Sequence, residues 1–127
     1  MGITMALIKA YGTVKDASYK LWAEKILRAY SLHLVHENLT QDVGLAGMGE
    51  LYLEAYRVFG NTEWRDRADW LTQFLIHTRK VGSNNSCHWI NNNALFPTAD
   101  LMVGNSGIIH FLIRSLLPRK MGYRVLE

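Results

Sequence analysis

Apolar residues recur at helical spacing in five segments of the chain, and polar positions are concentrated between these segments. In one segment, for example, Trp64, Ala68 and Leu71 fall on one helical face while charged residues occupy the opposite side. The pattern predicts helices over residues 2–12, 16–35, 45–59, 62–79 and 106–117. The sequence therefore predicts an all-α protein.

Residues that start and stop helices separate these segments at short intervals. Asp16 has a side chain typical of an N-cap, as does Asn61 or Thr62 at the start of the fourth segment. Gly60 can adopt the left-handed conformation that ends a helix, and Pro118 cannot continue one. Because the connections are short, we expect consecutive helices to form antiparallel hairpins.

The helices alternate between two kinds of surface. Residues 2–11 carry Lys9 as their one charge, and residues 45–59 confine their polar side chains to a narrow stripe. The segments 16–35 and 62–79 have one apolar face and one charged face instead. Inner helices covered on most sides and outer helices facing solvent are typical of a two-layer α/α solenoid or closed toroid.

The sequence also repeats itself at two fixed offsets. A forward shift of sixty residues places Gly104 on Gly44 and Gly107 on Gly47. A backward shift of forty-five places Gly2 on Gly47, with further matches at Ala10/Ala55, Tyr11/Tyr56, Asp16/Asn61, Tyr19/Trp64 and Ala23/Ala68. Several matches at one offset indicate an array of structural repeats.

The helical pattern stops between residues 81 and 101, where Gly, Ser and Asn are frequent. Short extended pieces are predicted at 87–90 and 94–96, and a further strand at 123–126. A long ordered loop is more often functional than decorative, so this stretch is a candidate site.

The amino-acid composition limits the kinds of binding partner and the cellular compartment that we expect. The net charge of +3 is mild and the charges alternate in sign, which does not suggest binding to nucleic acid or to a membrane surface. The single cysteine excludes an internal disulfide and fits a reducing compartment. The N-terminal apolar run is too short for a signal peptide or a membrane span. We therefore expect a cytoplasmic protein.

Two stretches, residues 44–61 (GLAGMGELYLEAYRVFGN) and 100–116 (DLMVGNSGIIHFLIRSL), resemble the C-terminal part of the LanC-like family, the lanthionine synthetase cyclases and their relatives. The resemblance implies a double-layered α/α toroid. Residues 1–127 would form the C-terminal portion of such a domain, about two and a half hairpins of an incomplete ring. The missing hairpins would then belong to a longer protein or to another chain.

Members of that family close thioether rings by adding a peptide cysteine to a dehydroamino acid, with a zinc-bound thiolate as the nucleophile. The family's Cys-His-Gly zinc segment falls on Asp42, Val43 and Gly44, so the zinc motif is not matched. Its other zinc ligand and its acid/base residues would precede Met1. We expect cyclase activity on a peptide substrate if the missing hairpins complete the site, and none from these residues alone. The alternative is a non-catalytic peptide-binding or scaffold module.

Cys87 and His88 form the one Cys-His pair in the sequence and are the candidate metal ligands, for zinc. His33, His36 or His110 would have to complete such a site. The alternative is a loop cysteine and a loop histidine without a metal, and the position of the pair in a connecting loop favours it. Apart from this zinc site, we expect no cofactor.

Four acids, Asp42, Glu50, Glu54 and Asp100, lie on or near the inner helices. Paired carboxylates in an α/α toroid are typical of a glycosidase, which is a third reading of the chain. Glu50 and Glu54 are one turn apart with Arg57 beside them, however, which favours a surface or interface ion pair.

An incomplete ring would leave the first hairpin without a neighbour. The apolar region around Met5, Leu7 and Ile8 would be uncovered, and soluble monomers rarely expose such a face. We expect either the missing part of the toroid or a second copy of the chain to cover it, most simply in a two-fold homo-oligomer.

Overall fold

Five helices and one two-stranded hairpin make up the part of the chain that the computed structural model describes, residues 1–30, 38–42, 44–90 and 95–117. The elements are α1 (Gly2–Val14), α2 (Ala17–Ala29), α3 (Leu45–Phe59), α4 (Thr62–Thr78), β1 (Lys80–Val81), β2 (Cys87–His88) and α5 (Asn105–Leu116). The prediction of an all-α protein is confirmed. None of the helices described is both long enough and apolar enough to cross a membrane.

The predicted start signals at Asp16 and Asn61 and the stop at Gly60 are confirmed, whereas Pro118 lies outside the described residues. The Asp16 carboxylate accepts a hydrogen bond of 2.9 Å from the Ser18 N–H at the start of α2. The Asn61 side chain accepts one of 3.0 Å from the Glu63 N–H at the start of α4. Gly60 ends α3 with φ of 75°, which a residue without a Cβ adopts at little cost.

Two of the predicted boundaries in the first hairpin are wrong. Helix α1 continues past residue 12 to Val14 and ends where Lys15 takes a left-handed conformation. Helix α2 ends at Ala29 instead of residue 35, because Tyr30 is extended and turns its side chain back towards α1. The Tyr30 hydroxyl lies 3.3 Å from the Thr4 hydroxyl. Residues 31–37 and the strand predicted at 123–126 lie outside the described residues.

The helices form the two layers that the sequence predicts. Helix α3 packs against α1 on one side, against α5 on another and against α4 outside it, while α2 covers α1. The first eleven residues of α3 are all buried. The outer helices bury one stripe each: Ala23 and Leu27 on α2, and Trp64, Ala68, Leu71 and Leu75 on α4. The described residues thus form part of an α/α toroid, with α1, α3 and α5 as inner helices.

The loops that precede α3 and α5 each make an equivalent backbone hydrogen bond to the start of the helix, which supports the offset of sixty residues. The Leu45 N–H donates a hydrogen bond of 3.1 Å to the Asn38 carbonyl. At the equivalent positions, the Asn105 N–H donates one of 2.7 Å to the Thr98 carbonyl. Each loop therefore folds back on the first turn of its inner helix.

Two glycines of the repeat are required by the close approach of these loops. A Cβ at Gly47 would collide with the carbonyl oxygen of Gln41, and a Cβ at Gly107 would collide with that of Leu101. The obstacle is backbone in both cases, so no side chain could move to make room. The glycine spacing noticed in the sequence thus marks where a loop lies directly on an inner helix.

The expectation that Met5 and Ile8 are uncovered is wrong. Met5 is 5% exposed and Ile8 is not exposed at all, because α2 and α3 enclose this side of α1. Leu7 is half-buried. The exposed apolar side chains of the first hairpin are Ile3, Val14, Leu21 and Trp22, which lie elsewhere on its surface.

Candidate functional site

The candidate metal ligands Cys87 and His88 lie on β2 of the two-stranded hairpin, where Cys87 is exposed. Trp89 anchors this hairpin, since its ring N–H donates a hydrogen bond of 2.8 Å to the Leu75 carbonyl. Within the described ranges, no three His, Cys, Asp or Glu side chains are grouped so that they could hold a metal ion. His33 and His36 lie outside those ranges, so the zinc site at this hairpin stays a prediction.

The start of α3 does not fit the zinc ion that the family resemblance implies. Asp42 is exposed, and its N–H donates a hydrogen bond of 2.9 Å to the Met102 carbonyl. Gly44 is the N-cap of α3 and has no side chain to offer. Among the residues that the structure describes, Asp42 belongs to no group of three His, Cys, Asp or Glu side chains that could hold a metal ion, and a carboxylate is not the sulfur or nitrogen donor that zinc prefers.

Charged side chains from all three inner helices meet in a buried cluster around Glu54. Lys9 of α1 lies 2.9 Å from one carboxylate oxygen, and Arg114 of α5 donates a hydrogen bond of 2.9 Å to the other. Arg57 of α3 itself adds two more hydrogen bonds, of 2.5 and 3.2 Å. Glu54 and Arg114 have no exposed surface. One carboxylate therefore joins three helices.

Glu50 lies one turn before Glu54 and extends the cluster. Its carboxylate lies 2.6 Å from Nδ1 of His110 and also accepts a hydrogen bond from Arg114. Gln41 approaches the same carboxylate at 3.5 Å. The ion pair predicted for these acids is confirmed, but it does not lie on the surface: it is buried at the interface between inner helices, with Glu50 only 1% exposed.

The electrostatics of Glu54 do not suit a general acid. Burial would raise its pKa, but hydrogen bonds from Arg57 and Lys9 outweigh burial and lower the pKa to about 2. A carboxyl group that stays ionised at neutral pH has no proton to donate to a leaving group, as one member of a glycosidase pair must. The carboxylates of this cluster are held by cations, which favours a structural role.

Asp100 also has a local structural role. Its carboxylate accepts hydrogen bonds of 2.7 Å from the Met102 N–H and 3.0 Å from the Val103 N–H. These bonds hold the loop before α5 in a tight turn. Asp42 lies in the other repeat loop, which the bond to Met102 joins to this one.

A cavity of about 180 Å³ opens at the N-terminal ends of the inner helices. Its apolar lining comes from Met1, Met5, Leu51 and Met102, and its polar lining includes Gln41, Asp42 and Glu50. A concave, mostly apolar pocket with a few polar groups is the form that ligand sites commonly take. This cavity is the best candidate site among the described residues.

Gln41 gives the cavity a polar group without a partner. The residue is 3% exposed, and within the described part of the chain its side-chain oxygen accepts no hydrogen bond. An unsatisfied buried acceptor costs about 1–3 kcal/mol. This oxygen lies beside Gly107 of α5, and Gln41 itself is one of the residues that line the cavity.

The loop that contributes Met102 to the cavity also carries exposed apolar side chains. Met102, which lines the cavity, is 38% exposed, and its neighbours Leu101 and Val103 are 39% and 53% exposed. The loop before α5 thus has one apolar residue in the cavity lining and further apolar residues on its outer surface. A ligand longer than the cavity could contact both surfaces.

Sequence reasoning singled out Glu50 and Glu54 but missed their partners Lys9, His110 and Arg114. The repeat offsets contained the signal, because Lys9 is forty-five residues before Glu54 and Arg114 is sixty after it. Side chains at equivalent positions of neighbouring parallel helices face each other. The sequence did not indicate a role for Gln41, because a polar residue in a polar loop is unusual only when the loop is known to be buried.

The fold and the cavity define an all-α protein of two-layered helical hairpins with a pocket at one end of its inner helices. The family model described as lanthionine synthetase C-like protein matches residues 1–122 of the chain. The chain therefore belongs to the lanthionine synthetase C-like family, and the resemblance seen in residues 44–61 and 100–116 is confirmed. A search of curated proteins found no match.

Proposed function

We propose that this chain supplies part of the peptide-binding site of a lanthionine synthetase C-like protein. The observation that carries the proposal is the cavity at the N-terminal ends of the inner helices, with its methionine lining and the buried, unpartnered oxygen of Gln41. Membership of the family supports a peptide as the ligand. The thioether-forming step would need hairpins that these 127 residues do not supply.

The dimensions of the cavity favour one side chain of a peptide as its occupant. About 180 Å³ is less than the roughly 300 Å³ at which pockets for drug-sized molecules begin. Methionine side chains are flexible and adapt to apolar groups of different shape. The rest of the peptide would lie on the exposed apolar surface of Leu101, Met102 and Val103.

The polar groups of the cavity favour a donor on the bound peptide. Gln41 offers an acceptor, and the other buried polar residue of the lining, Glu50, is already bound by Arg114. A backbone N–H or an amine of the peptide would satisfy Gln41 and remove the cost of leaving it without a partner. Specificity for such a donor follows, because a ligand without it would leave the oxygen buried and unpaired.

The chemistry proposed for the completed protein is an addition without a leaving group. The thiolate sulfur of a peptide cysteine bonds to the β-carbon of a dehydroamino acid, and the electrons of the double bond move to the α-carbon. The α-carbon then takes up a proton. The product is a thioether in which the sulfur is bonded to the β-carbon, and the proton that replaces the one lost by the thiol is on the α-carbon. In this proposal the residues described here bind and orient the peptide.

A second function, a non-catalytic peptide-binding or scaffold module, is favoured by one observation. In the sequence, Asp42 and Val43 stand where the family's zinc motif has its Cys and its His, and neither supplies the sulfur or nitrogen donor that zinc prefers. A module of this kind would keep the cavity and bind the peptide without closing a ring.

The proposal is tested by binding and by a count of free thiols. A peptide with one cysteine and one dehydroalanine is titrated into the chain by calorimetry, beside the same peptide with serine in place of dehydroalanine. We expect saturable binding and no loss of free thiol with these residues alone. Loss of thiol would instead assign cyclase activity to the chain itself, and absence of binding would overturn the proposal.

A matched pair of variants locates the binding. Gln41→Leu removes the unpartnered acceptor and should weaken binding about fivefold to tenfold, the effect of one hydrogen bond. Gln73→Leu makes the same change on the exposed surface of α4 and should leave binding unchanged. Equal affinities for the two variants, with both shown to be folded, would place the peptide elsewhere.

A further inference from the structure

A small notch of about 20 Å³ lies beside the loop before α5, next to the cavity at the N-terminal ends of the inner helices. Its apolar lining comes from Trp89, Phe96, Pro97, Val103 and Ile108. A space of this size holds one water molecule or one group of similar size. Because most of the lining is apolar, a methyl group fits it better than water does.

Two loops form a ridge between the notch and the cavity. Gln41 and Met102 line the cavity, whereas Thr40 and Val103, their neighbours in sequence, line the notch. The loops are joined where the Asp42 N–H donates a hydrogen bond of 2.9 Å to the Met102 carbonyl. The notch and the cavity are therefore one residue apart along each loop.

One wall of the notch is held in place by Asn105, the first residue of α5. Its side chain accepts a hydrogen bond of 2.6 Å from the Trp89 N–H and donates one of 2.9 Å to the Trp89 carbonyl. It donates another, of 3.1 Å, to the Thr98 carbonyl. Because these groups are already ordered, less conformational entropy is lost when a ligand binds against them.

Phe96 lines the notch and is also 74% exposed, so its ring forms part of the rim. A ligand that covers this ring would remove a large apolar surface from water. The preceding residue, Leu95, is 89% exposed but lines neither the notch nor the cavity. The two neighbours thus differ in their position relative to the notch and not in being exposed.

We propose that the notch is a second subsite for the bound peptide and takes a branched aliphatic side chain, such as leucine. This inference rests on the proposed function, because the cavity must hold another side chain of the same peptide. In an extended peptide, alternate side chains point the same way and lie about 7 Å apart. A peptide that crosses the ridge would therefore place one residue in the cavity and the residue two positions away at the notch.

The size of the notch determines which side chains it accepts. A terminal methyl group of leucine enters the notch while the rest of the side chain packs on Phe96. An aromatic ring is too large for a space of about 20 Å³ and can only lie on the rim. The subsite therefore selects leucine over both alanine and phenylalanine.

The test varies one position of the peptide and measures affinity by calorimetry. The dehydroalanine peptide is made with a fixed leucine as the anchor for the cavity. A second residue, two positions before the anchor in one series and two after it in another, is alanine, leucine or phenylalanine. In one series we expect leucine to bind about tenfold more tightly than alanine, the effect of burying roughly two methylene groups, and more tightly than phenylalanine.

A matched pair of variants locates the second side chain. Phe96→Ala removes the rim of the notch and should reduce the preference for leucine over alanine to about threefold or less. Leu95→Ala removes an exposed side chain from the neighbouring position and should leave the preference at about tenfold. Both side chains are exposed, so neither change should alter the circular dichroism spectrum.

The outcomes separate this inference from the proposed function. The subsite is overturned if leucine and alanine bind equally in both series, if phenylalanine binds as tightly as leucine, or if the two variants lose the preference equally. Each of these results leaves the proposed function standing, because the anchored peptide still binds. If no peptide of either series binds, the subsite and the proposed function are both overturned.

Discussion

Glu54 and Arg114 occupy equivalent positions of two neighbouring inner helices, sixty residues apart, and form a buried ion pair of 2.9 Å. Lys9 occupies the equivalent position of the third inner helix and pairs with the same carboxylate at 2.9 Å. The inner helices are therefore aligned without a shift along their axes. A charge at each of three equivalent positions fixes that alignment, because any shift would leave a buried charge without its partner.

Removal of Arg114 should strongly destabilise the protein. Arg114→Met keeps most of the side-chain volume but removes the partner that Glu54 has in Arg114 and leaves Glu50 with His110 on α5. Breaking a buried pair from one side costs about 3–5 kcal/mol. Urea unfolding followed by circular dichroism measures the free energy of unfolding. Glu24→Gln, which breaks the partly exposed pair with Arg28, should cost less than about 1 kcal/mol. Similar losses for both variants would contradict the structural role of the cluster.

Glu54 should also make stability depend on pH in the acid range. Its pKa falls from 4.5 to about 2 on folding, since hydrogen bonds from Arg57 and Lys9 outweigh the effect of burial. The unfolded chain therefore binds more protons between these values, so the stabilisation is complete above about pH 4.5 and is lost as the pH falls towards 2. The loss is about 3 kcal/mol for a shift of this size.

The measurement is the urea midpoint at a series of pH values from 7 to 2.5. Glu54→Gln is the matched variant, because its amide keeps the shape and cannot ionise. We expect the slope of stability against pH to flatten in this variant relative to the original chain. An unchanged slope would mean that other carboxyl groups, such as Glu63, account for the acid sensitivity.

Local features of the fold were predictable because they depend on neighbours in sequence. The caps at Asp16 and Asn61 and the stop at Gly60 each need only two to four adjacent residues. The end of α2 was not predictable, because nothing near Tyr30 breaks a helix. At that end, the Tyr30 side chain contacts Thr4, twenty-six residues away. Such a contact can be predicted only when the relative position of the two helices is known.

The candidate site was less predictable than the fold for a related reason. Glu50 and Glu54 were visible as acids on an apolar helix, but a single helix does not reveal whether its polar stripe is exposed. Their burial follows from α1 and α5 lying against α3. Gln41 became a candidate only because its loop folds over the start of α3, where the glycine at 47 allows close approach.

Measuring the zinc content should show whether Cys87 and His88 are metal ligands or loop residues without a metal. Because Cys87 is exposed on a short hairpin, we expect the chain purified without chelators to contain far less than one zinc per molecule. Atomic absorption of the original chain and of Cys87→Ser makes the comparison. Stoichiometric zinc that disappears in Cys87→Ser would contradict this expectation and would assign the metal site to this pair.

The first hairpin should form the contact between copies of the chain. Ile3, Val14, Leu21 and Trp22 are each more than half exposed, so the surface of the first hairpin carries four large apolar side chains that contact water in a monomer. A two-fold dimer that buries this surface against its copy is the simplest closed arrangement. We therefore expect a dimer at micromolar concentration in sedimentation equilibrium.

The informative variant must change this surface without disturbing the core. Ile8 is completely buried, so a charge there would unfold the protein whether or not it dimerises. Leu21 is 66% exposed, and Leu21→Glu should convert the dimer to a folded monomer with little change in the circular dichroism spectrum. Gln73→Glu places the same charge on the exposed surface of α4 and should leave the dimer intact. A folded monomer of the original chain at these concentrations would instead show that water covers the first hairpin, and the prediction of a homo-oligomer would be wrong.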